Sequence, residues 1–138
     1  MDDTDRHLVS LLRDNARLPV ATLAKKLGVS RGTVQNRIAR LIATGGIEGF
    51  TVRAKPDAGT IRAIMLIEIE GERSDRIVEE LKKFPEVRAV HTTNGRWDMV
   101  IELATDSLQT FDRVLHRIRL IAGVSASETS LLLSSYLF

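Results

Sequence analysis

The sequence predicts an α+β protein in two parts: an N-terminal helix-turn-helix (winged-helix-like) domain and a C-terminal ferredoxin-like βαββαβ domain. Three observations carry that reading. Residues 24–41, AKKLGVSRGTVQNRIARL, hold five positive charges and no negative one on a scaffold of small and branched apolar residues. Residues 55–60, KPDAGT, break the pattern with Pro, Gly and small polar residues. Beyond them, apolar residues of period two alternate with helical periods in the order strand, helix, strand, strand, helix, strand. The expected boundaries are 1–50 for the first domain, 51–61 for a hinge strand and linker, and 62–138 for the second domain.

The first helix follows from DDTDRHLVSLLRDN, where Leu8, Leu11 and Leu12 share a face with Val9 beside them, and Asp2, Asp3 or Thr4 caps the start. Pro19 suits the first turn of a second helix, whose stripe is Val20, Leu23, Ala24 and Leu27 and whose end is Gly28. Ser30 is a good N-cap for a third helix with Val34, Ile38 and Leu41 inward, stopped by TGG at 44–46. Ala24 is small where the second and third helices cross, and Gly28 permits the tight turn between them. IEGFTVR, residues 47–53, reads as a short strand.

In the second half, RAIMLIEIE is a strand with Ala63, Met65, Ile67 and Ile69 on one face and Ile64 and Leu66 on the other. SDRIVEELKKF is an amphipathic helix with Ile77, Leu81 and Phe84 inward and Glu79 with Lys83 as an exposed pair. VRAVHTT and WDMVIELA form a hairpin about NGR. SLQTFDRVLHRIRLI is a helix through Leu108, Phe111, Leu115 and Ile118, closed by Gly123, and residues 124–137 are the last strand. Such a sheet covers one face with helices and leaves the other bare, so Ile64 and Leu66 invite a second copy of the chain.

Composition narrows the function. Hydrophobic residues make up 43% and charged residues 28%, the balance of a soluble globular chain. No apolar run approaches the roughly 20 residues of a membrane helix, and MDDTDRHL is the reverse of a secretory signal, so the expected location is the cytoplasm, with no membrane partner. There is no Cys, which excludes disulfides, thiolate metal sites and a Cys nucleophile. Residues 1–60 carry ten Lys and Arg against six Asp and Glu, with no acid between Asp14 and Glu48. A basic half joined to a mildly acidic half points to a polyanion-binding unit attached to something else.

The chain resembles the Lrp/AsnC family, the leucine-responsive and asparagine-responsive (feast/famine) transcription regulators of bacteria and archaea. The resemblance rests on DDTDRHLVSLLRDNAR, LAKKLGVSRGTVQNRIARL and GGIEGFTV in the first half, and on VHTTNGRWDMVIEL and IAGVSASETSLLL in the second. It implies double-stranded DNA as one partner, a small effector such as an amino acid as another, and self-association as dimers, four of which close into an octamer. Pro19, Phe50 and Trp97 depart from the family's usual residues at their positions.

The third helix fits a major groove, with Gly32, Asn36 and Arg40 opposite its buried face. Arg31, Thr33, Gln35, Asn36 and Arg40 are the expected reading set, because Asn and Gln pair with adenine and Arg with guanine. Lys25, Lys26, Arg37 and Arg53 are expected on phosphates, with a structural salt bridge as the alternative for Arg37. The resemblance implies that the turn Asn94, Gly95, Arg96, Trp97 and Asp98 meets Ser127 and Thr129 at a dimer–dimer contact to hold the effector. Asp98 has no partner nearby in sequence, so its carboxylate suits an α-amino group. Trp97 either walls that pocket or belongs to the core.

An enzyme is the competing class. His7, His91 and His116 are scattered, with no HExxH and no paired metal-ligand spacing, so no cofactor, metal or catalytic residue is expected. Siroheme decarboxylases resemble the same layout, but VHTTNGRWD keeps the regulator's short Gly-x-x-Asp turn around His91. A DNA-organising architectural role overlaps with regulation.

Overall fold

Asp2 starts the first helix, α1 (Asp3–Asp14), through a reciprocal cap: its carboxylate accepts the Asp5 N–H at 2.8 Å, and the Asp5 carboxylate accepts the Asp2 N–H. Leu8 and Leu12 face inward, with Leu11 and Val9 half-buried beside them. In α2 (Val20–Leu27), Leu23 and Ala24 are buried, while Val20 and Leu27 are only half-buried. Pro19 gives no side-chain cap, and its carbonyl accepts the Thr22 and Leu23 N–H groups at 3.0 Å. Gly28 closes the helix at φ 69°, a left-handed conformation that glycine adopts without strain. Ser30 Oγ then accepts the Thr33 N–H at 3.1 Å and starts α3 (Arg31–Ala43). Leu8, Leu12, Leu23, Ala24, Val34 and Leu41 make one core, against which Ile38 packs half-buried.

The computed structural model describes residues 1–136 and residue 138, and the chain divides into two units, Met1–Ala54 and Lys55–Phe138. Residues 47–53 are not a strand, contrary to the sequence pattern. A strand needs a neighbour for its hydrogen bonds, and this stretch finds none among the described residues; Phe50 and Val52 stand exposed.

In the second unit β1 (Ile61–Ile69) lies at the centre of a four-stranded antiparallel sheet of order β2-β3-β1-β4. The other strands are β2 (Val87–Thr92), β3 (Met99–Thr105) and β4 (Val124–Leu131). Ala63, Met65 and Ile67 sit opposite Leu103, Ile101 and Met99, and all six are buried beneath α4 (Ser74–Leu81) and α5 (Leu108–Arg119). Ile77, Leu81, Phe84, Phe111, Val114, Leu115 and Ile118 complete that core. Ile64 and Leu66 point to the other face, beside Val100, and are half-buried there.

Three expectations fail for local reasons. Leu108 is 63% exposed, because a side chain at the first helical position leans past the helix start; Val114 fills the stripe instead. Glu79 and Lys83 do not pair. Helix α4 ends at Leu81 in tighter, three-residue turns, which join Lys82 to Glu79 (2.9 Å) and Lys83 to Glu80 (3.0 Å). Strand β4 stops at Leu131 rather than near 137, because β1 begins at Ile61 and offers one further carbonyl, Arg62 O, to Leu132. Leu137, also assigned to that strand by pattern, lies outside the described residues.

Candidate nucleic-acid interface and effector site

Helices α2 and α3 both carry exposed basic and polar side chains. Lys25 and Lys26 stand out from the last turn of α2, and Arg31, Gly32, Gln35, Asn36 and Arg40 are exposed on α3. Thr33 is half-buried, and its hydroxyl is 2.9 Å from Ser30 Oγ, so the cap already engages it. Ala39 is exposed between Gln35, Asn36 and Arg40, a position that polar-residue reasoning passes over. Its methyl group matches the apolar contact a thymine methyl offers. Gly32 has no steric need to be glycine: an added Cβ would meet only Ser30 Oγ, at 4.0 Å. Arg53 is exposed in the segment that follows.

Arg37 takes the salt-bridge arrangement. Its Nη1 donates to Asp2 at 2.6 and 2.7 Å and to Asp5 at 3.0 Å. Arg40 Nη2 reaches the other Asp5 oxygen at 3.1 Å. Hydrogen bonding from Arg37, then from the Asp5 N–H, lowers the Asp2 pKa to about 2. Burial works against charge on Asp5, which is 2% exposed, yet hydrogen bonds from Arg37 and the Asp2 N–H prevail and lower its pKa as well. The same contacts raise Arg37, Asp2 first.

The turn 94–97 is built by hydrogen bonds within β2–β3. Thr93 Oγ1 accepts the Gly95 N–H at 3.1 Å and donates to the Trp97 carbonyl, and the Thr93 N–H donates to Asp98 O. Asn94, Gly95 and Arg96 are exposed, and Trp97 is half-buried with the Arg96 guanidinium 4.5 Å above its ring. Arg96 also pairs with Glu68 at 2.6 Å. Asp98 does have a partner: its Oδ2 accepts the Ile69 N–H at 2.7 Å, at the point where the β1–β4 register slips. That partner is 29 residues away and is not visible in sequence. Asp98 Oδ1 has no hydrogen-bond partner among the described residues.

Ser127 and Thr129 lie elsewhere. They sit opposite Ile67 and Met65, on the helix-covered face, whereas Glu68, which holds Arg96, alternates to the other. Ser127 Oγ accepts from Arg119 Nε at 3.2 Å, and Thr129 Oγ1 is buried with no partner among the described residues. Within one chain the turn and these two hydroxyls therefore do not converge. Glu68 and Ser125, whose hydroxyl donates to Glu68 O at 3.1 Å, are the neighbours of the turn that residue type alone does not reveal. His7, His91 and His116 fall on α1, β2 and α5; His91 pairs with Glu102 at 2.7 Å on the open face of the sheet. Among the described residues no cluster of three His, Asp or Glu is placed to hold a metal.

Fold and surface together define a helix-turn-helix DNA-binding unit joined to a ferredoxin-like ligand-binding unit. Residues 1–42 match the AsnC-type helix-turn-helix domain, and residues 62–137 match the Lrp/AsnC ligand-binding domain. The chain belongs to the Lrp/AsnC family of transcriptional regulators. The HTH-type transcriptional regulator FL11 of Pyrococcus furiosus is 29% identical over 135 residues, which cover 96% of this chain and 89% of that protein. The structure of Escherichia coli AsnC superposes with a TM-score of 0.88 at 25% identity, covering 100% of this chain and 95% of that one. The transcriptional regulator NMB0573 of Neisseria meningitidis, solved as a complex with L-Met, shares the fold with a TM-score of 0.89 at 20% identity, covering 100% and 93%.

Proposed function

We propose that this regulator binds specific DNA sites as a dimer and that a small effector, an amino acid, adjusts its assembly. The observation that carries the DNA half is the exposed surface of α3. It holds Asn36 and Arg40 in one row and Arg31 and Gln35 in the row beside it, with the Lys25–Lys26 pair exposed at the end of α2. Gln35 and Asn36 have the donor–acceptor pattern for adenine, Arg31 and Arg40 that for guanine, and Thr33 supports the helix start through its cap. Lys25, Lys26 and Arg53 serve the phosphates, while Arg37 secures α3 to α1.

Dimerisation is supported by the open sheet face, where Ile64, Leu66 and Val100 are apolar, and by the unpaired stretch around the exposed Phe50 and Val52. One recognition helix per chain and two-fold symmetry then give a site with two related halves. Family resemblance favours octamers built from four such dimers. The effector half draws on the turn Asn94–Asp98, where Asp98 Oδ1 is open to an ammonium group and Arg96 takes a carboxylate only by leaving Glu68. Ser127 and Thr129 join this site only through a second dimer or a shift of β4. The methionine complex of the Neisseria protein supports an amino acid as the ligand class. Regulation rather than catalysis, in the cytoplasm, is the reading these features favour; an architectural role survives only if DNA is bound without preference.

Binding to promoter-region and random DNA over a range of salt tests this. About eight phosphate contacts per dimer predict a log–log slope near −7, with promoter DNA preferred at every salt concentration. Equal affinity for both DNAs contradicts sequence-specific regulation. Sedimentation adds the second arm: a stable monomer at micromolar concentration rules out the dimer, and no change in size with any common amino acid rules out that effector class.

A further inference from the structure

We infer that Asp5 is a positioning residue for base reading, acting through Arg40 at the far end of the recognition helix. The inference rests on the reading of α3 as the helix that enters DNA. Asp5 is 2% exposed although charged, and two guanidinium groups of α3 satisfy its carboxylate. The two play different parts. The Arg37 side chain is 24% exposed and spans both Asp2 and Asp5, so it is the anchor. The Arg40 side chain is 57% exposed, and Asp5 touches it only through Nη2.

That geometry leaves Arg40 Nε and Nη1 without partners among the described residues. An arginine carries five N–H donors in a rigid fork, so one engaged Nη2 hydrogen fixes the plane while the other Nη2 hydrogen, with Nε or Nη1 beside it, still forms a bidentate edge. Arg40 lies one turn beyond Asn36, so the fork extends the same row of reading side chains. A long side chain held before binding does not have to be ordered at binding, and it discriminates better for being aimed. The arrangement also removes an objection to acids beside DNA. Asp2, Asp5, Arg37 and Arg40 together carry no net charge, so the cluster does not repel phosphates. An ion pair that only staples α1 to α3 would need Arg37 alone.

The test compares the full-length protein with the variants Asp5→Asn, Arg40→Ala and both together on a randomised DNA pool, reading base preference position by position. Arg40→Ala is expected to lower the preference for guanine at one position per half-site about tenfold. Asp5→Asn lowers the same position by a similar factor, and the double variant loses no more than either alone, as residues acting through one contact do. Asp3→Asn removes a neighbouring acid whose only side-chain partner among the described residues is Arg6, and it leaves the profile unchanged. Thermal unfolding monitors the fold throughout. If Asp5→Asn is unfolded at the assay temperature, Asp5→Glu carries the test, since it keeps the charge and moves the carboxylate by one methylene. An Asp5 variant that weakens every sequence uniformly, or keeps the Arg40 preference, overturns the inference. A wild-type protein with no base preference overturns the reading of α3 and this inference with it, whereas a profile that survives loss of Asp5 overturns this inference alone.

Discussion

The two units of the chain keep their charges in opposite places. In Met1–Ala54, six buried apolar residues surround three short helices, and a carboxylate that is 2% exposed ties the first helix to the third. In Lys55–Phe138, thirteen buried apolar residues fill the space between sheet and helices, and every ion pair among the described residues is at least 41% exposed on both sides. A small core leaves a larger share of its surface in water, so additional contacts decide its geometry. A sheet already held by its ladder has no such need, and exposed pairs add about 0–1 kcal/mol each. The lesson is a division of labour. The first unit uses charge internally to hold α3 against α1, and the second keeps its ion pairs on the surface and leaves one sheet face without helices.

The largest effect separates the two cores. Leu8 is fully buried in the smaller one, and Leu8→Ala is expected to cost about 2–5 kcal/mol and to melt the helical unit first. Circular dichroism at 222 nm follows the helices of both units, while Trp97, the only Trp, follows the second unit alone, so an early loss of ellipticity without a Trp97 change marks melting of the first unit. A single coincident transition by both signals would mean that the units unfold as one.

Asp98 comes next. Asp98→Ala leaves the Ile69 N–H without its acceptor and is expected to destabilise the second unit by about 1–3 kcal/mol, besides removing the effector response. Asp98→Asn keeps an acceptor oxygen and loses only the charge. It should therefore melt near wild type and still fail to respond, which separates the turn's two roles. Denaturant titration and sedimentation with the amino acid read the two properties.

Acid acts on the first unit through its clamp. The Asp2 pKa lies near 2 in the fold against an ordinary 3.8, and Asp5 is shifted the same way. A depressed carboxylate stabilises the fold fully above its unfolded pKa, so the contribution is whole above about pH 4 and fades as pH falls towards 2. Melting curves of wild type and Arg37→Gln should converge over that window. A constant difference between them would contradict the clamp.

The smallest effect has a diagnostic sign. Gly32→Ala replaces a helical glycine with open space around it, and should raise stability by about 0.5–1 kcal/mol. If Gly32 is there for close approach to DNA, the same variant binds the site more weakly. Greater stability with unchanged affinity would mean that the glycine is merely tolerated.

Much of this was legible in the sequence because it is local. Ser30 and Gly28 punctuate helices by side-chain and backbone chemistry that any short window contains, and the two-residue period of Ala63, Met65 and Ile67 fixes a buried face; Gly123, expected to close α5, does not, because that helix already ends at Arg119 with Leu120 as its cap. What was not legible depends on partners distant along the chain. Arg37 meets Asp2 across 35 residues, Asp98 meets Ile69 across 29, and neither distance leaves a periodic trace. Residues 47–53 have a strand's composition, but strand formation depends on a neighbour, which composition cannot supply. Ser127 and Thr129 have the right chemistry for a ligand, yet the register of β4 against β1 turns them to the helices. Ala39 escapes a search for polar side chains, because a methyl group carries no hydrogen-bonding signature.

On the proposed reading, α3 contacts base edges while the basic residues around it only hold the backbone. Paired binding measurements on a footprinted promoter site and on random DNA, each across a range of salt, test it with Gln35→Ala/Asn36→Ala and with Lys25→Gln/Lys26→Gln. The first variant should fall to its random-DNA affinity on the promoter site with its salt slope intact. The second should weaken on both DNAs alike, with a slope shallower by about 0.9 for each phosphate no longer neutralised. A Gln35/Asn36 variant that keeps the promoter preference of the wild type would contradict the claim.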